Sequence, residues 1–385
     1  MDTVNYLDKI LTSAIKQRAS DIHVQPERES FNIAFRIDGS LYVIDTLLKS
    51  EQEEFISRIK VLSQADITES RLPQQGHFEL NFEGKIYNMR ISIIPTLYGE
   101  AVVLRILNRD DILIKLEELG FDDDQLSAMN RLISSPYGMI LITGPCGSGK
   151  TVLLYSILNV LKKPGKNILT LEDPVECQIT DMRQIQINEK LGLDFVSAMK
   201  TALRQDPDVM MLGEIRDAES ARMAVQAALT GILFFSTFHT LDVPALVSRL
   251  LEIGIPNSIA AQSIVGVVSS RLVRKVCKAC GEAHQIDDYE KRVLDGINLE
   301  GAKFRKGKGC NACNNSGYYG RVGIFEITSF DDEIRACIIE KQSFSALRKI
   351  LEQKKVKSLR DAACNKVLSG VTTAEEVVRV IGSPF

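Results

Sequence analysis

Charge of one sign is what this sequence conspicuously lacks: 47 lysines and arginines stand against 50 aspartates and glutamates, a formal net charge of −3. That removes the overall basic footprint of a nucleic-acid-binding chain, and no stretch interleaves aromatic with basic residues. Long apolar runs are missing too. The longest uncharged run that reads as apolar, Ser258 to Ser270, has 13 residues, too few to span a bilayer. Met1 to Ile10 carries two aspartates and no apolar core of signal-peptide length. Neither a secretory nor a transit segment is expected, and a cytoplasmic protein follows, including one that touches a membrane complex from the cytoplasmic side. Internal repeats and low-complexity tracts are absent as well. With 45% hydrophobic and 25% charged residues, the composition excludes a disordered, collagen-like or coiled-coil chain. At 385 residues, two or three domains are expected.

Along the chain, apolar residues recur at helical spacing from Val4 to Lys16 (Val4, Leu7, Ile10, Leu11, Ile15), and Phe31 to Ile37 alternates like a strand that turns at Asp38-Gly39. The first hundred residues are therefore read as a mixed α/β unit. Asn88 to Ile94 and Ala101 to Leu107 flank Pro95-Thr-Leu-Tyr-Gly99-Glu100 and read as a hairpin. A symmetric register about that turn places Arg90 opposite Arg105, where like charges repel. They are either two solvated arginines or a pair that takes up an anion. Asp122 is a plausible N-cap for an amphipathic helix carrying Leu126, Met129, Leu132 and Ile133. Beyond Pro136, short apolar runs alternate with longer helical patterns, the signature of a parallel sheet built from βαβ units.

The most specific signal follows. Met139-Ile-Leu-Ile-Thr143 runs into Gly144-Pro145-Cys146-Gly147-Ser148-Gly149-Lys150-Thr151, and a helix is expected over Val152 to Leu161. Strand, glycine-rich loop and helix is the context a phosphate-binding loop requires. Its fixed positions would arise by chance in about one sequence per hundred of this length. Glycines let the loop turn its amide hydrogens around a β-phosphate. Lys150 then reaches the β- and γ-phosphates, the Thr151 hydroxyl ligates Mg²⁺, and the positive end of the helix completes the anion site. ATP and Mg²⁺ are the expected ligands. Three later apolar runs end in polar residues: Glu172-Asp173 after Ile168 to Leu171, Gly213-Glu214 after Val209 to Leu212, and His239 after Ile232 to Phe238. In a parallel sheet these carboxyl ends line the ligand crevice. Glu172 and Glu214 are candidates for holding Mg²⁺ through water and for orienting or deprotonating the attacking water, and His239 for contacting the γ-phosphate.

Of eight cysteines, four form two hooks, Cys277-Lys-Ala-Cys280 and Cys310-Asn-Ala-Cys313, separated by 29 residues. Four thiolates at this spacing suit a closed tetrahedral zinc site, and Zn²⁺ is expected to be structural because no open coordination position is apparent. Two disulfides or a redox pair are the alternatives, less suited to a reducing compartment. Zinc binding of ~10–16 kcal/mol in peptides is enough to hold a small lobe with little core. The basic run Arg271 to Lys278 beside the first hook reads as a solvated face or a subunit contact.

These motifs resemble, in order and over nearly the whole chain, the ATPases of type II secretion and type IV pilus assembly. The matching blocks are Ala19-Ser-Asp-Ile-His23, Arg71-Leu-Pro-Gln74, Gly144 to Thr151, Leu171-Glu-Asp-Pro-Val-Glu176, Arg204-Gln-Asp-Pro-Asp208, Gly213-Glu-Ile-Arg-Asp217, Ser236-Thr-Phe-His-Thr240 and the cysteine segment running to Glu326. The resemblance implies that Glu172 and Asp173 lie in the family's Asp box, Glu214 in its atypical Walker B motif and His239 in its His box. It implies that Arg90 and Arg105 are the arginines offered to the γ-phosphate. It further implies an α/β fold: a RecA-like P-loop NTPase core with an N-terminal α+β domain, a small tetracysteine zinc lobe and a C-terminal helical region. The expected divisions are a PAS-like domain over 1–107, a linker over 108–136, the ATPase core over 137–270, the zinc lobe over 271–325 and the helical region over 326–385.

The partners implied are five further copies in a homo-hexamer and an inner-membrane platform protein, with no direct nucleic acid and no transmembrane segment. Two departures stand out. Cys146 replaces the threonine usual in mid-loop, and Leu241 precedes Asp242 where Asn-Asp is common; neither removes a phosphate or metal ligand. Many relatives also carry an extra N-terminal docking domain that this sequence does not show, which leaves recruitment unexplained. Among alternatives, a retraction ATPase shares the core but typically lacks the four cysteines. A nucleic-acid translocase calls for a basic channel, and a small-molecule kinase leaves Arg90 and Arg105 without a role.

Overall fold

The computed structural model describes residues 2–340 and 343–382; Met1 of the expected 1–107 region, and residues 341–342 and 383–385 of the expected 326–385 region, lie outside the described residues. The chain divides into two compact units, Met1–Asp111 and Ile112–Phe385.

In the first unit, the helix Thr3–Lys16 buries Leu7, Ile10, Leu11, Ala14 and Ile15, the stripe that a 3.6-residue repeat produces, and Asp2 caps it by accepting the Asn5 N–H. Six strands follow: β1 (Ala19–Pro26), β2 (Ser30–Ile37), β3 (Ser40–Leu48), β4 (Gln74–Phe82), β5 (Lys85–Thr96) and β6 (Gly99–Asn108), with the helix Gln52–Ser63 between β3 and β4. They form one antiparallel sheet in the order β3-β2-β1-β6-β5-β4. Residues of one pleat face, among them Ile22, Val24, Phe35, Ile91, Ile93 and Leu104, make a core with Leu11 and Phe55 of the two helices. On the other face, the register lines up Arg36, Asp21, Arg105, Arg90 and His77 across β2, β1, β6, β5 and β4. Arg90 and Arg105 are thus directly opposite, as the symmetric hairpin register predicts. β1, β3 and β4, which the alternation of the sequence did not mark, complete the sheet around that hairpin.

The second unit is built on a seven-stranded sheet: β7 (Gly138–Thr143), β8 (Ile168–Glu172), β9 (Arg183–Gln186), β10 (Val209–Glu214), β11 (Leu233–Phe238), β12 (Ile264–Val276) and β15 (Tyr318–Ser329), in the order β15-β12-β7-β11-β10-β8-β9. All neighbours are parallel except β12 and β15. The period-2 rule is visible in the cores. Met139, Leu141, Leu169, Leu171, Met210, Leu212 and Phe234 face the helices Phe195–Ala202, Ala218–Leu229, Val243–Glu252 and Asn257–Ser263. Their neighbours Ile140, Ile142, Ile168, Val209, Met211, Leu233 and Phe235 face the helices Asp123–Ile133 and Lys150–Leu161. With both faces covered, the strands read as unbroken apolar runs, which is why they were legible without alternation. Asp122 does cap Asp123–Ile133, in a reciprocal pair with Gln125.

The cysteine segment leaves the sheet at the end of β12 and returns at the start of β15, with the small hairpin β13 (Gly281–Ala283) and β14 (Arg305–Gly307) between them. The basic run at Arg271 departs from its expected solvated face. Arg271 is buried, and Arg274 lies over the Tyr318 ring at 4.2 Å and pairs with Glu376 at 2.8 Å. The reason is that the helices Leu359–Leu368 and Ala374–Ile381 pack on this end of β12, around Val273 and Ile324.

Glu376 is fully buried and accepts hydrogen bonds from the Arg274 backbone and guanidinium at 2.8–2.9 Å, and from Arg379 at 2.6 and 2.7 Å. Burial pushes its pKa up, but the hydrogen bonds from Arg379 and Arg274 outweigh it and hold the carboxyl below its ordinary range. A carboxylate with a depressed folded pKa stabilises above the ordinary value of about 4.3 and loses that contribution as pH falls through the folded value. Glu376→Ala, which strands Arg274 without its counter-ion, is expected to cost about 3–5 kcal/mol. Urea denaturation at pH 7 would show it, and the gap from the parent should narrow in acid.

Candidate functional site

The loop between β7 and the helix Lys150–Leu161 is held from both sides of the sheet. The Phe238 carbonyl of β11 accepts the Gly144 N–H at 3.3 Å, and on the β12 side the buried Ser270 hydroxyl donates to the Ser148 carbonyl at 2.7 Å. Gly147 and Gly149 have φ of +74° and +86°, left-handed values that a side chain resists. Helices around the same sheet that start at Phe195, Ala218 and Val243 are capped by Asp194, Asp217 and Asp242. The helix starting at Lys150 has Gly149 at its cap, no side-chain cap and no acid in its first turn. Its leading N–H groups are thus left for an external anion. The buried Ser148 hydroxyl likewise has no protein partner among the described residues. Lys150, itself buried, extends over the loop and donates to the Gly144 and Pro145 carbonyls at 2.7 and 2.9 Å. Burial lowers its pKa, against the raising charges of Cys146 and Glu214. A polyphosphate fits this donor set.

Next to Lys150 stands a connected set of side chains from three strand ends. His239 lies 3.5 Å from the Lys150 ammonium through Nδ1 and 3.0 Å from Glu214 Oε2 through Nε2. An ammonium can only donate, so the Lys150 contact calls for a lone pair on Nδ1 and leaves Nε2–H to face Glu214. The other Glu214 oxygen accepts from Arg216 Nε, and Arg216 also lies 3.6 Å from Asp173. Burial would raise the Glu214 pKa, but the Arg216 and His239 bonds hold it below its ordinary value. Cys146 is exposed, with its sulfur 3.9 Å from His239 Nδ1. Thr151 takes its place in the first turn of the helix.

Glu172 ends β8 in a different setting. It is buried and accepts from Tyr155, from Thr170 at 2.5 Å and from Gln184 at 3.2 Å. Burial and this carboxylate push the Tyr155 phenol upward. Strand-end placement thus brings Glu214, His239 and, through Arg216, Asp173 beside Lys150, while Glu172 ties β8 to the helix that carries the loop. Arg216 and Tyr155 were not singled out from the sequence, and Arg271 was read only as the start of a basic run. Arg271 donates to the Ser270 and Leu241 carbonyls at 2.8 and 3.1 Å, under the loop. Arg216 was discoverable as the second residue after Glu214, within the Gly213 to Asp217 block.

Arg90 and Arg105 lie in the first unit, on the polar face of its sheet. Arg105 is paired with the buried Asp21, Nε to Oδ1, at 3.0 Å. The hairpin pair therefore already has an acid beside it, one that spacing alone did not reveal.

The sulfur atoms of Cys277, Cys280, Cys310 and Cys313 lie within 4.8 Å of one another. Three of the separations are 3.9, 3.8 and 3.7 Å. Tetrahedral zinc with Zn–S bonds of about 2.3 Å sets its sulfurs about 3.8 Å apart, so the donor set fits that ion. All eight cysteines are free thiols.

A family model described as type II/IV secretion system protein matches residues 2–379. The chain belongs to that family. It is 41% identical over 377 residues to the type II secretion system protein E of Dickeya dadantii (strain 3937), covering 98% of this chain and 75% of that protein. It is 40% identical over 379 residues to the type IV pilus assembly ATPase PilB of Myxococcus xanthus (strain DK1622), covering 97% of this chain and 67% of that one. Against the PilB of Thermus thermophilus it spans 42% of the relative's length. Among solved structures, the ATPase DotB of Legionella pneumophila matches 97% of this chain and 94% of its own with a TM-score of 0.71 at 22% identity. At that identity the likeness shows the shared fold: the α/β class, with the P-loop core expected from the sequence. Relatives named for type II secretion and for pilus assembly thus both match nearly the whole of this chain. No helix among the described residues is long and apolar enough to cross a membrane.

Elemental analysis of protein purified under reducing conditions is expected to return one zinc per chain, and Cys280→Ser with Cys313→Ser to return none. A metal-free parent, or a zinc-loaded double variant, would contradict the assignment.

Proposed function

We propose that this chain hydrolyses ATP to ADP and phosphate and, as a homo-hexamer at the cytoplasmic face of an inner membrane, drives assembly of a pseudopilus or type IV pilus through a membrane platform protein. The observation that carries this reading is the uncapped start of the helix Lys150–Leu161 beside the Lys150, His239 and Glu214 chain. Relatives at about 40% identity named for type II secretion and for pilus assembly support the choice of machine.

In this reading, residues 144–151 wrap the β- and γ-phosphates with their amides, and Lys150 exchanges the Gly144 and Pro145 carbonyls for phosphate oxygens. Thr151 would hold Mg²⁺, which would supply positive charge against the negative charge that phosphoryl transfer develops. Glu214, oriented by His239 and Arg216, takes the proton of the water that attacks the γ-phosphorus while the bond to the ADP oxygen breaks. Its depressed pKa keeps it ionised before water is bound. Glu172 and Asp173 act from β8, the first by fixing the strand to the loop's helix, the second by holding Arg216. Arg90 and Arg105 supply positive charge to the γ-phosphate, a contribution that can reach 10³–10⁵ in turnover for arginine fingers. Zinc on the four cysteines is structural.

Lys150→Ala is expected to leave no measurable phosphate release. Glu214→Gln should still bind nucleotide while kcat falls by about 10²-fold or more. Undiminished release from either purified variant counts against these roles, and particles smaller than a ring of six in the presence of nucleotide count against the hexamer.

A further inference from the structure

Asp21 is a buried carboxylate that the proposed reaction does not use. It sits on the polar face of the first unit's sheet, where an exposed neutral side chain would avoid the cost of burying charge. Its register partners are Arg36 on β2 and Arg105 on β6. The Asp21 side chain is 7% exposed and that of Arg105 is 61% exposed. The pair is therefore asymmetric, an anchored acid beneath an outward-reaching arginine.

The two carboxylate oxygens have divided duties. Oδ2 accepts the Ser20 hydroxyl at 2.8 Å and lies 3.9 Å from Arg36 Nε, which fixes the rotamer. Oδ1 then faces Arg105 Nε at 3.0 Å. A guanidinium carries five N–H donors. A bond at Nε engages the inner edge of the group and leaves the Nη donors at its outer end for an anion. Arg36 itself donates to the Gly39 carbonyl at 3.2 Å, so the second arginine is tied back to its own turn. Arg90 stands directly across from Arg105, and like charges so placed repel. The Asp21 charge on the far side of Arg105 offsets part of that repulsion at Arg105.

We infer that Asp21 is a positioning residue for Arg105, holding the guanidinium by its Nε edge so that its outer donors meet a phosphoryl oxygen. This rests on the proposed role of Arg105 toward the γ-phosphate. Aim matters here because an ångström of misplacement can cost about 10²-fold in rate.

The test is a double-mutant cycle on the full-length hexamer with Asp21→Asn and Arg105→Ala, and with Asp21→Ala as a second route to the same loss. Steady-state hydrolysis and the affinity for ADP with aluminium fluoride, a mimic of the phosphoryl group in transfer, are both measured. Asp21→Asn is expected to lower kcat about tenfold with KM for ATP changed less than about twofold, and to weaken the fluoride complex about tenfold while ADP alone binds as before. In the Arg105→Ala background the same substitution should change neither quantity by more than about twofold. Full additivity of the losses overturns the inference, since it assigns Asp21 a role independent of Arg105. So does parental kcat in Asp21→Asn and Asp21→Ala when Arg105→Ala is impaired. If Arg105→Ala itself keeps the parental kcat and fluoride affinity, the proposed role of the arginine falls, and the inference with it.

Discussion

The arrangement of the second unit turns on one local deficit, the uncapped start of the helix Lys150–Leu161. Its leading N–H groups would cost free energy if they were enclosed without partners. The helices at Phe195, Ala218 and Val243 solve this with an aspartate, which also suits the positive end of the helix dipole. Gly149 cannot do so, and no acid follows in the first turn. The loop keeps its open form because its surroundings are rigid. β7 is buried along its whole length between β11 and β12, and Ser270 of β12 pins the Ser148 carbonyl. An anion supplies what the sequence withholds, and the free energy of binding it is set by how firmly those strands hold the amides in place.

Buried carboxylates do the positioning elsewhere, and each is paired in a way that gives it direction. Glu172 draws Tyr155 of the loop's helix onto β8, Glu376 gathers Arg274 and Arg379 at the end of β12, and Asp21 fixes Arg105. Lys60, nearly fully buried, is matched by Glu100 at 2.8 Å and by the Glu69 carbonyl at 2.7 Å. Burying an ion is costly unless its partners are well placed. Where such a pair persists, the chain gains a fixed direction for the partner rather than much stability. Glu214 is the contrasting case: half-exposed, shared between His239 and Arg216, and placed where a charge can act on something other than protein.

Much of this was legible in the sequence because the relevant signals are local. The loop glycines, Lys150, the apolar runs that became β7, β8, β10 and β11, and the hairpin register of Arg90 and Arg105 all follow from short-range rules of period and turn. What was not legible depends on contacts far along the chain. Asp21 meets Arg105 across 84 residues, and Arg274 meets Glu376 across 102. No periodicity carries such pairings. The basic run at Arg271 read as a solvated face because nothing in it announces that the helices beginning at Leu359 and Ala374 fold back over β12. Glu172 and Glu214 looked equivalent as strand-end acids. They differ because Tyr155, Thr170 and Gln184 surround only the first.

The charge balance around the loop bears on the proposed reaction. A triphosphate brings several negative charges, and the transition state spreads them over the transferring group. Lys150 offers one cation, and Mg²⁺ held by Thr151 would offer another. Arg216 is already matched by Glu214 and Asp173, and Arg271 is turned onto backbone carbonyls beneath the loop. Under the proposed function, further positive charge would be needed to stabilise the cleavage of a triphosphate held at the loop. In the first unit, one row across the polar face of the sheet carries Arg36, Asp21, Arg105, Arg90 and His77, with the buried Asp21 holding Arg105. On the same reading, Arg105 would add the positive charge that phosphoryl transfer calls for.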